Sequence, residues 1–306
     1  MRSHQPADVS ALFGQATDAI WMASAMACIL DRGTTGPFEP EEPAARVLAA
    51  YGFLELTEAG LIPTPAFADA VRGREASFAA GIRSTLGQAA TVAFSRGVPG
   101  GWSSFSADIL VAQAAASAGF GPLIASFVVP SLAGLSERFA AGGRFLDVGV
   151  GAAGLACAFC KALPAARVVG IDVLLSALQL AEKEATELGV SDRLELRHQG
   201  VETVEDVEAF DLAWLPLPFI PNTVVSEAVR RVHRALTPGG WLLLPGSIDN
   251  DGTSGAIALW QTHVTGGTLL TGDERRQLTT GVGFDSLHAI PVPPGAPPMV
   301  AARRPF

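Results

Sequence analysis

At 306 residues with 49% apolar side chains, the chain is long enough for two domains and has ample material for a buried core. Its formal net charge of −9 argues against nucleic acid as the main partner, because phosphate binding needs a basic face. The longest apolar run, 19–30, is too short to cross a bilayer, and MRSHQPADVS lacks a signal peptide's apolar centre; a cytoplasmic protein with no membrane partner is expected.

Residues 1–141 read as a mostly α-helical domain. Asp8 is placed to cap a first helix that turns Leu12, Phe13, Ala16, Ile20 and Met22 or Ala23 toward a core. A loop rich in Gly, Pro and Thr covers 33–43. Residues 43–51 then predict a helix stopped by Gly52, and 54–56 with 61–63 predict two short strands turned by Thr57-Glu58-Ala59-Gly60. Helix then hairpin is the outline of a winged helix. As a DNA reader it lacks charge, since 1–140 hold 8 Arg, no Lys and 12 acidic residues. The expected role is packing: a cap over a pocket and a homodimer contact. More helices follow over 67–141, with breaks at 97–101, 119–121 and Pro130, and with Ser106 as an N-cap. Phe94, Trp102 and Phe105 flank the first break and read as core, with Trp102 kept as a substrate-contact candidate. Gly142-Gly143 marks the start of a second domain, 142–306.

That domain opens on RFLDVGVGAAGLA, residues 144–156. A short apolar strand runs into Gly149, Gly151 and Gly154 and then into an Ala/Leu-rich helix. The first glycine permits a tight turn, the second lets backbone approach a ligand, and the third lets helix pack closely on strand. The helix N-terminus offers free N–H groups to a polar or anionic ligand. Asp172 closes the next strand, VVGID, in position to accept hydrogen bonds from a ribose. Two cofactor classes fit this outline, nicotinamide dinucleotides and S-adenosylmethionine (SAM). Asp147, two residues before the first glycine, favours the second: a carboxylate suits the ammonium and sulfonium of SAM better than a pyrophosphate.

Strands and helices alternate from here on, which predicts a parallel sheet covered on both faces. The strands are 145–148, 167–171, 194–198, 212–215 and 241–245, with helices from Leu174 to Leu188 and from a cap at Asn222 to Leu236. Pro216, Pro218 and Pro221 forbid helix directly after the fourth strand. Segments 286–291 and 299–303 flank a Pro/Gly-rich turn and pair as an antiparallel end to the sheet. Cys157 and Cys160 spell C-x-x-C inside a helix with no second pair for zinc, and read as small buried residues. Lys161 and Lys183 are the two lysines, poor material for Schiff-base chemistry.

The acidic residue before Gly-x-Gly, the ordered strands, AFDLAWLPLPF and ALTPGGWLLLPG together resemble the class I SAM-dependent methyltransferases, over about half the chain. The glycine spacing departs by one place, at Gly154. The N-terminal part is similar to the winged-helix-like domain of small-molecule O-methyltransferases. The resemblance implies a Rossmann-like doubly wound sheet with an antiparallel C-terminal hairpin, SAM as cofactor, and methyl transfer to a small-molecule acceptor in biosynthesis. It also implies site residues: Asp147, Gly149 and Gly151 facing the methionine part of SAM, Asp172 the ribose, Val173 the adenine, and Leu215 with Pro216 the amino-acid end. Where the family often has Gly-Asp after strand three, this chain has Gly200-Val201-Glu202, leaving the adenine amine to Gln199, Glu202 or backbone. Phe219 and Trp260 join Trp102 as substrate candidates. The family often places a histidine base after strand four; here that place is Pro216-Leu217-Pro218-Phe219, and His263 is the candidate base. His233 reads as a surface or packing residue, His198 ends the third strand beside the adenine region, and no His/Asp/Glu cluster has metal spacing. Alternatives are a nicotinamide-dependent oxidoreductase, a SAM-binding fold doing other chemistry such as cyclisation, and a ligand-sensing winged-helix regulator.

Overall fold

The computed structural model describes residues 9–95, 97, 100–246, 252–285, 287–293 and 296–306; the expected cap Asp8, and Ser286 at the start of the terminal hairpin, lie outside them. The chain divides into two compact units, residues 1–89 and 90–306. The expected boundary at 141/142 is thereby moved. The helices of 90–141 belong with the α/β unit because small residues let them pack directly on its first helix, as described below.

The first unit comprises α1 (Val9–Leu30), α2 (Pro43–Ala50), the antiparallel pair β1 (Leu54–Thr57) and β2 (Gly60–Pro63), α3 (Pro65–Val71) and most of α4 (Glu75–Phe94). Gly52, at φ +75°, turns the chain from α2 into the hairpin. Ile29, Leu30, Phe38, Leu48, Leu54, Leu61 and Phe67 form its core. The predicted inward face of α1 is a correction: Leu12, Phe13 and Ile20 are exposed, and only Ala27, Ile29 and Leu30 are buried. A 22-residue helix is about 33 Å long, and its own small unit covers only the last turns.

The second unit begins with a helical path: α5 (Ala107–Ser117), α6 (Phe120–Leu123), a π turn (Ile124–Val128), α7 (Val129–Ser131) and α8 (Leu135–Ala140). Ser106 occupies the N-cap of α5, though its hydroxyl makes no capping bond. The expected breaks at 119–121 and Pro130 do not stop the path, since Pro130 falls in the first turn of α7, where its missing N–H has no intrahelical partner to lose. By length and composition alone Ala107–Ser131 is apolar enough to cross a membrane. Here its small face lies on α9 (Gly154–Ala162): a Cβ on Gly121 would overlap Ala158, and one on Gly154 would sit 1.7 Å from the Ala114 carbonyl oxygen.

The sheet continues with β3 (Arg144–Val148), β4 (Arg167–Asp172), α10 (Leu175–Glu187), β5 (Leu194–His198), β6 (Phe210–Trp214), α11 (Val225–Ala235), β7 (Leu236–Pro245), α12 (Gly252–Thr265), α13 (Gly272–Val282), β8 (His288–Ala289) and β9 (Met299–Arg303). Strand order is β5-β4-β3-β6-β7-β9-β8, parallel through β7 and antiparallel for β9 and β8, which is the expected doubly wound sheet with its terminal hairpin. Alternation along β3 sends Phe145 to one core and Leu146 and Val148 to the other. Three local expectations shift. β6 ends one residue before Leu215. α11 starts at Val225 rather than after an Asn222 cap. Thr237-Pro238-Gly239-Gly240 lies inside β7, where a register shift against β6 absorbs it. Cys157 and Cys160 are buried in α9, and burial pushes their thiols up to about 12 and about 11, out of the range of a reactive thiolate.

Candidate active site

A cavity of about 600 Å³ lies across the carboxyl ends of β3, β4, β6 and β7. The strand order reverses beside β3, where connections leave toward β4 on one side and β6 on the other, and such a crevice is where open α/β sheets bind ligands.

One end of the cavity is the glycine turn. Gly149 (φ +70°) and Gly151 (φ +56°) hold left-handed conformations that side chains resist, and both line the cavity. Asp172 braces the turn: one carboxylate oxygen accepts the Gly151 N–H at 2.8 Å and the other accepts the Leu174 N–H at 2.8 Å. Burial outweighs these bonds and holds its pKa above the ordinary carboxylate value. Asp172 lines the cavity as expected, and also holds the loop that carries Gly151. Gly154 does not line it. Its missing Cβ serves the contact with Ala114 of α5, so its close packing is onto a helix rather than a strand. The left-handed residue ahead of α9 is instead Ala153, at φ +65° and fully buried.

Asp147, on β3, is the most unusual group in the site. It is 2% exposed, its Oδ2 has no hydrogen-bond partner, and it lines the cavity. Burial first, and then the neighbouring Asp172 charge, pushes its carboxyl up to about 8. A buried carboxylate without a partner is costly, and a cation placed in the cavity relieves that cost.

Val173, Gln199, Val201 and Glu202 line the same end. Gly200 does not: Glu202 folds back over it, leaving no room for a Cβ. Gln199 donates from Nε2 to the Thr203 carbonyl at 2.9 Å, and His198 Nε2 lies 3.0 Å from the Val173 carbonyl. Pro216 lines the cavity, whereas Leu215 is wholly in the core and Trp214, at the end of β6, takes the expected place of Leu215.

The other end is aromatic. Trp102 meets Phe219 edge to face at 5.1 Å and Phe105 at 5.4 Å, while Phe120 lies 5.1 Å from Trp214. Trp102, Phe219, Phe120 and Trp214 all line the cavity, so Trp102 is a wall residue, Phe105 is core and Phe94 is exposed. Thr265 fixes the wall by donating to the Pro218 carbonyl at 3.0 Å. Trp260 and His263 are corrections: they pair at 5.9 Å on the exposed side of α12, and neither lines the cavity. Only the buried face of α12, with Thr265, turns inward. His233 packs on Phe284 at 4.7 Å, away from the cavity. Among the described residues, the ionisable groups of the wall are Asp147, Asp172 and Glu202, and no group of His, Cys, Asp or Glu has the arrangement to hold a metal. Sequence reasoning missed Phe120 and Trp214; the position of Trp214 as the last strand residue before a proline turn was the available signal.

Fold and site together resemble those of methyltransferases. Residues 145–240 match the family model described as "Methyltransferase domain". The release factor glutamine methyltransferase of Rhodopirellula baltica is 32% identical over 99 residues, 32% of this chain and 33% of that protein; the one from Caulobacter vibrioides is 34% identical over 90 residues, 29% and 31%. The chain thus spans about a third of the length of these curated relatives. Whole-chain likeness comes from solved structures. The SAM-dependent methyltransferase SibL in its apo form has a TM-score of 0.66 at 19% identity, covering 99% of this chain and 100% of that one. The pyocyanin biosynthetic protein PhzM has 0.66 at 19%, covering 97% of each chain, and human N-acetylserotonin methyltransferase in complex with SAM has 0.64 at 13%, covering 100% of each.

Proposed function

We propose that the protein transfers a methyl group from SAM to a small, largely aromatic acceptor in a biosynthetic reaction. The observation that carries this reading is the unpartnered buried carboxylate of Asp147 beside the glycine turn, which is matched to a cationic ligand and mismatched to a pyrophosphate. When bound, SAM supplies a methyl group already activated by sulfonium. Asp147 and the turn at Gly149–Gly151 would hold its amino-acid part, Asp172 its ribose, and Val173, Gln199 and Glu202 its adenine end. The chain's own contribution is to orient the acceptor between Trp102 and Phe219 and to keep water out. Calorimetry with SAM, its demethylated product S-adenosylhomocysteine (SAH), NAD and NADP tests the reading: tight SAM and SAH binding is expected, and nicotinamide binding without SAM binding overturns it.

The protein acts as a cytoplasmic homodimer in this reading, supported by the exposed apolar stripe of Leu12, Phe13, Ile20 and Trp21 on α1. The α2–hairpin unit would serve as a winged-helix-like packing module rather than a DNA reader. Sedimentation at micromolar concentration checks the dimer, and a monomer there removes it.

A further inference from the structure

The aromatic wall of the cavity is held by a short turn that carries none of its rings. The sequence Thr265-Gly266-Gly267-Thr268 ends α12. Gly266 takes the left-handed conformation at φ +77°. Its N–H donates to the His263 carbonyl at 3.3 Å, and the Gly267 N–H donates to the Thr262 carbonyl at 2.9 Å. Two carbonyls of the last helical turn are satisfied in this way, and the chain is turned sharply off the helix.

The turn delivers the chain against the proline loop that follows β6. Pro216, Pro218 and Pro221 have no N–H groups, so the loop is held from outside through its carbonyls. The Thr268 N–H donates to the Leu217 carbonyl at 2.9 Å, the Thr268 hydroxyl to the Ile220 carbonyl at 2.7 Å, and the Thr265 hydroxyl to the Pro218 carbonyl at 3.0 Å. Both threonines are buried, so removing either hydroxyl costs the loop a bond that water does not replace. Gly267 lies in the seam: a Cβ on it would sit 1.6 Å from the Pro218 carbonyl oxygen and 2.7 Å from the Phe219 nitrogen. Its own backbone is not left-handed, so the contact alone demands glycine there. A second seam lies at Gly101, where φ is +80° and a Cβ would come 3.1 Å from the Thr265 carbonyl oxygen. Gly101 precedes Trp102, and Gly267 abuts the backbone of Phe219. One turn therefore bears on both rings, which meet edge to face at 5.1 Å.

We propose that the turn 265–268 is the positioning element of the acceptor end, and that the ring placement it imposes on Trp102 and Phe219 selects the size of the aromatic acceptor. Gly267 does not line the cavity, and is a specificity-determining position that acts through Phe219. This inference rests on the methyl-transfer reading and adds to it the residues that set the acceptor's shape.

The experiment uses the full chain labelled with 5-fluorotryptophan, saturated with SAH, and titrated with phenol, 1-naphthol and 9-phenanthrol. Wild type is expected to bind at least one of the three. Gly267→Ala should shift the Trp102 fluorine resonance, assigned by its loss in Trp102→Phe, and leave SAH affinity within about twofold. It should also change the ratio of affinities among the three phenols by about tenfold, the scale on which pockets discriminate single methylene differences. Thr268→Val should act in the same direction, whereas Thr268→Ser keeps the hydroxyl and should stay near wild type. Gly281→Ala, on the exposed side of α13 where an added Cβ meets nothing within 4 Å, should change none of these. A lowered melting temperature in Gly267→Ala with the Trp102 resonance and the affinity ratio unmoved means a structural role only, and overturns the proposal. So does a wild-type complex that binds none of the phenols. Should Gly267→Ala not fold, the Thr268→Val and Thr268→Ser comparison decides alone. Loss of SAH binding in wild type removes the methyl-transfer reading; SAH binding with an unchanged ratio in the variants removes only the role of the turn.

Discussion

The cofactor end of the cavity is built mainly from one continuous βαβ stretch, 144–172, whose working parts are left-handed backbone, the buried Asp147 and the half-buried Asp172. The acceptor end is built from rings at positions 102, 120, 214 and 219, brought together from a short helical turn, a packed helix, a strand end and a proline turn. The first end is charged and held by hydrogen bonds of 2.8 Å; the second is apolar and held by ring contacts near 5 Å. In the proposed reaction the difference would separate two tasks: an electrostatic socket for a cationic cofactor, and a shaped apolar wall for the acceptor. Substitutions at the two ends should therefore fail differently.

The largest effect is expected at Asp147. Asp147→Ala should weaken SAM by about 1.5–3 kcal/mol, the range for hydrogen bonds to charged groups, while leaving the apo protein no less stable because an unpaired buried carboxyl is gone. Calorimetry and thermal melting read the two quantities, and an unchanged SAM affinity would remove Asp147 from the socket. The same residue sets a pH dependence. The folded chain keeps the Asp147 proton up to about 8, whereas an unperturbed Asp loses it near 3.8. The folded state thus binds the extra proton, and apo stability is greatest at low pH within this window and falls as pH rises through it. SAM, which favours the carboxylate, should bind up to about tenfold more tightly for each pH unit by which pH rises toward 8, with proton release visible as buffer-dependent binding heat. Asp147→Asn should flatten both profiles.

Asp172→Ala comes next, with a loss of about 1–3 kcal/mol in SAM binding. It removes a ribose acceptor and also leaves the Gly151 and Leu174 N–H groups without their carboxylate. Amide exchange over 149–152 should rise in the apo protein; protection unchanged there would show that the brace is not needed.

At the acceptor end the contrast lies between Phe219 and His263. Phe219→Ala should lower kcat at saturating SAM by about tenfold, on whichever aromatic acceptor a labelled-SAM screen returns, with SAM affinity nearly untouched. His263→Ala, on the outer side of α12, should stay within about twofold. A thousandfold loss in His263→Ala, with the pH dependence of turnover abolished, would make His263 the base and displace alignment as the main contribution.

The smallest effect concerns the joint between loop and helix. Ala153 holds φ +65°, a conformation that costs an L-residue roughly 1–2 kcal/mol, so Ala153→Gly should stabilise the protein by up to about 1 kcal/mol with no change at either end of the cavity. A drop in melting temperature would mean that the Ala153 methyl packs more usefully than its backbone is strained.

What the sequence determined by itself was the part governed by local rules. Short apolar runs placed β3, β4 and β5 almost to the residue, the glycines placed the turn, and Asp147 and Asp172 stood at or next to the strand ends that carry them. Those signals are short-range, because the conformation of Gly149 or the end of a strand is written within a few neighbouring residues. The tertiary structure alone decided the rest. Trp260 and His263 sit on a helix whose pattern does not say which side faces in, and packing turned Thr265 inward and those two outward. Phe120 and Trp214 are 94 positions apart and meet only because α5 and α6 lie on α9 through Gly154 and Gly121. The domain division moved for the same cause: residues 90–141 look like more of the helical N-terminal part until small residues at 114, 121, 154 and 158 let those helices pack on the sheet unit. Long-range contact between side chains depends on which surfaces fit, and no window along the chain contains both of them.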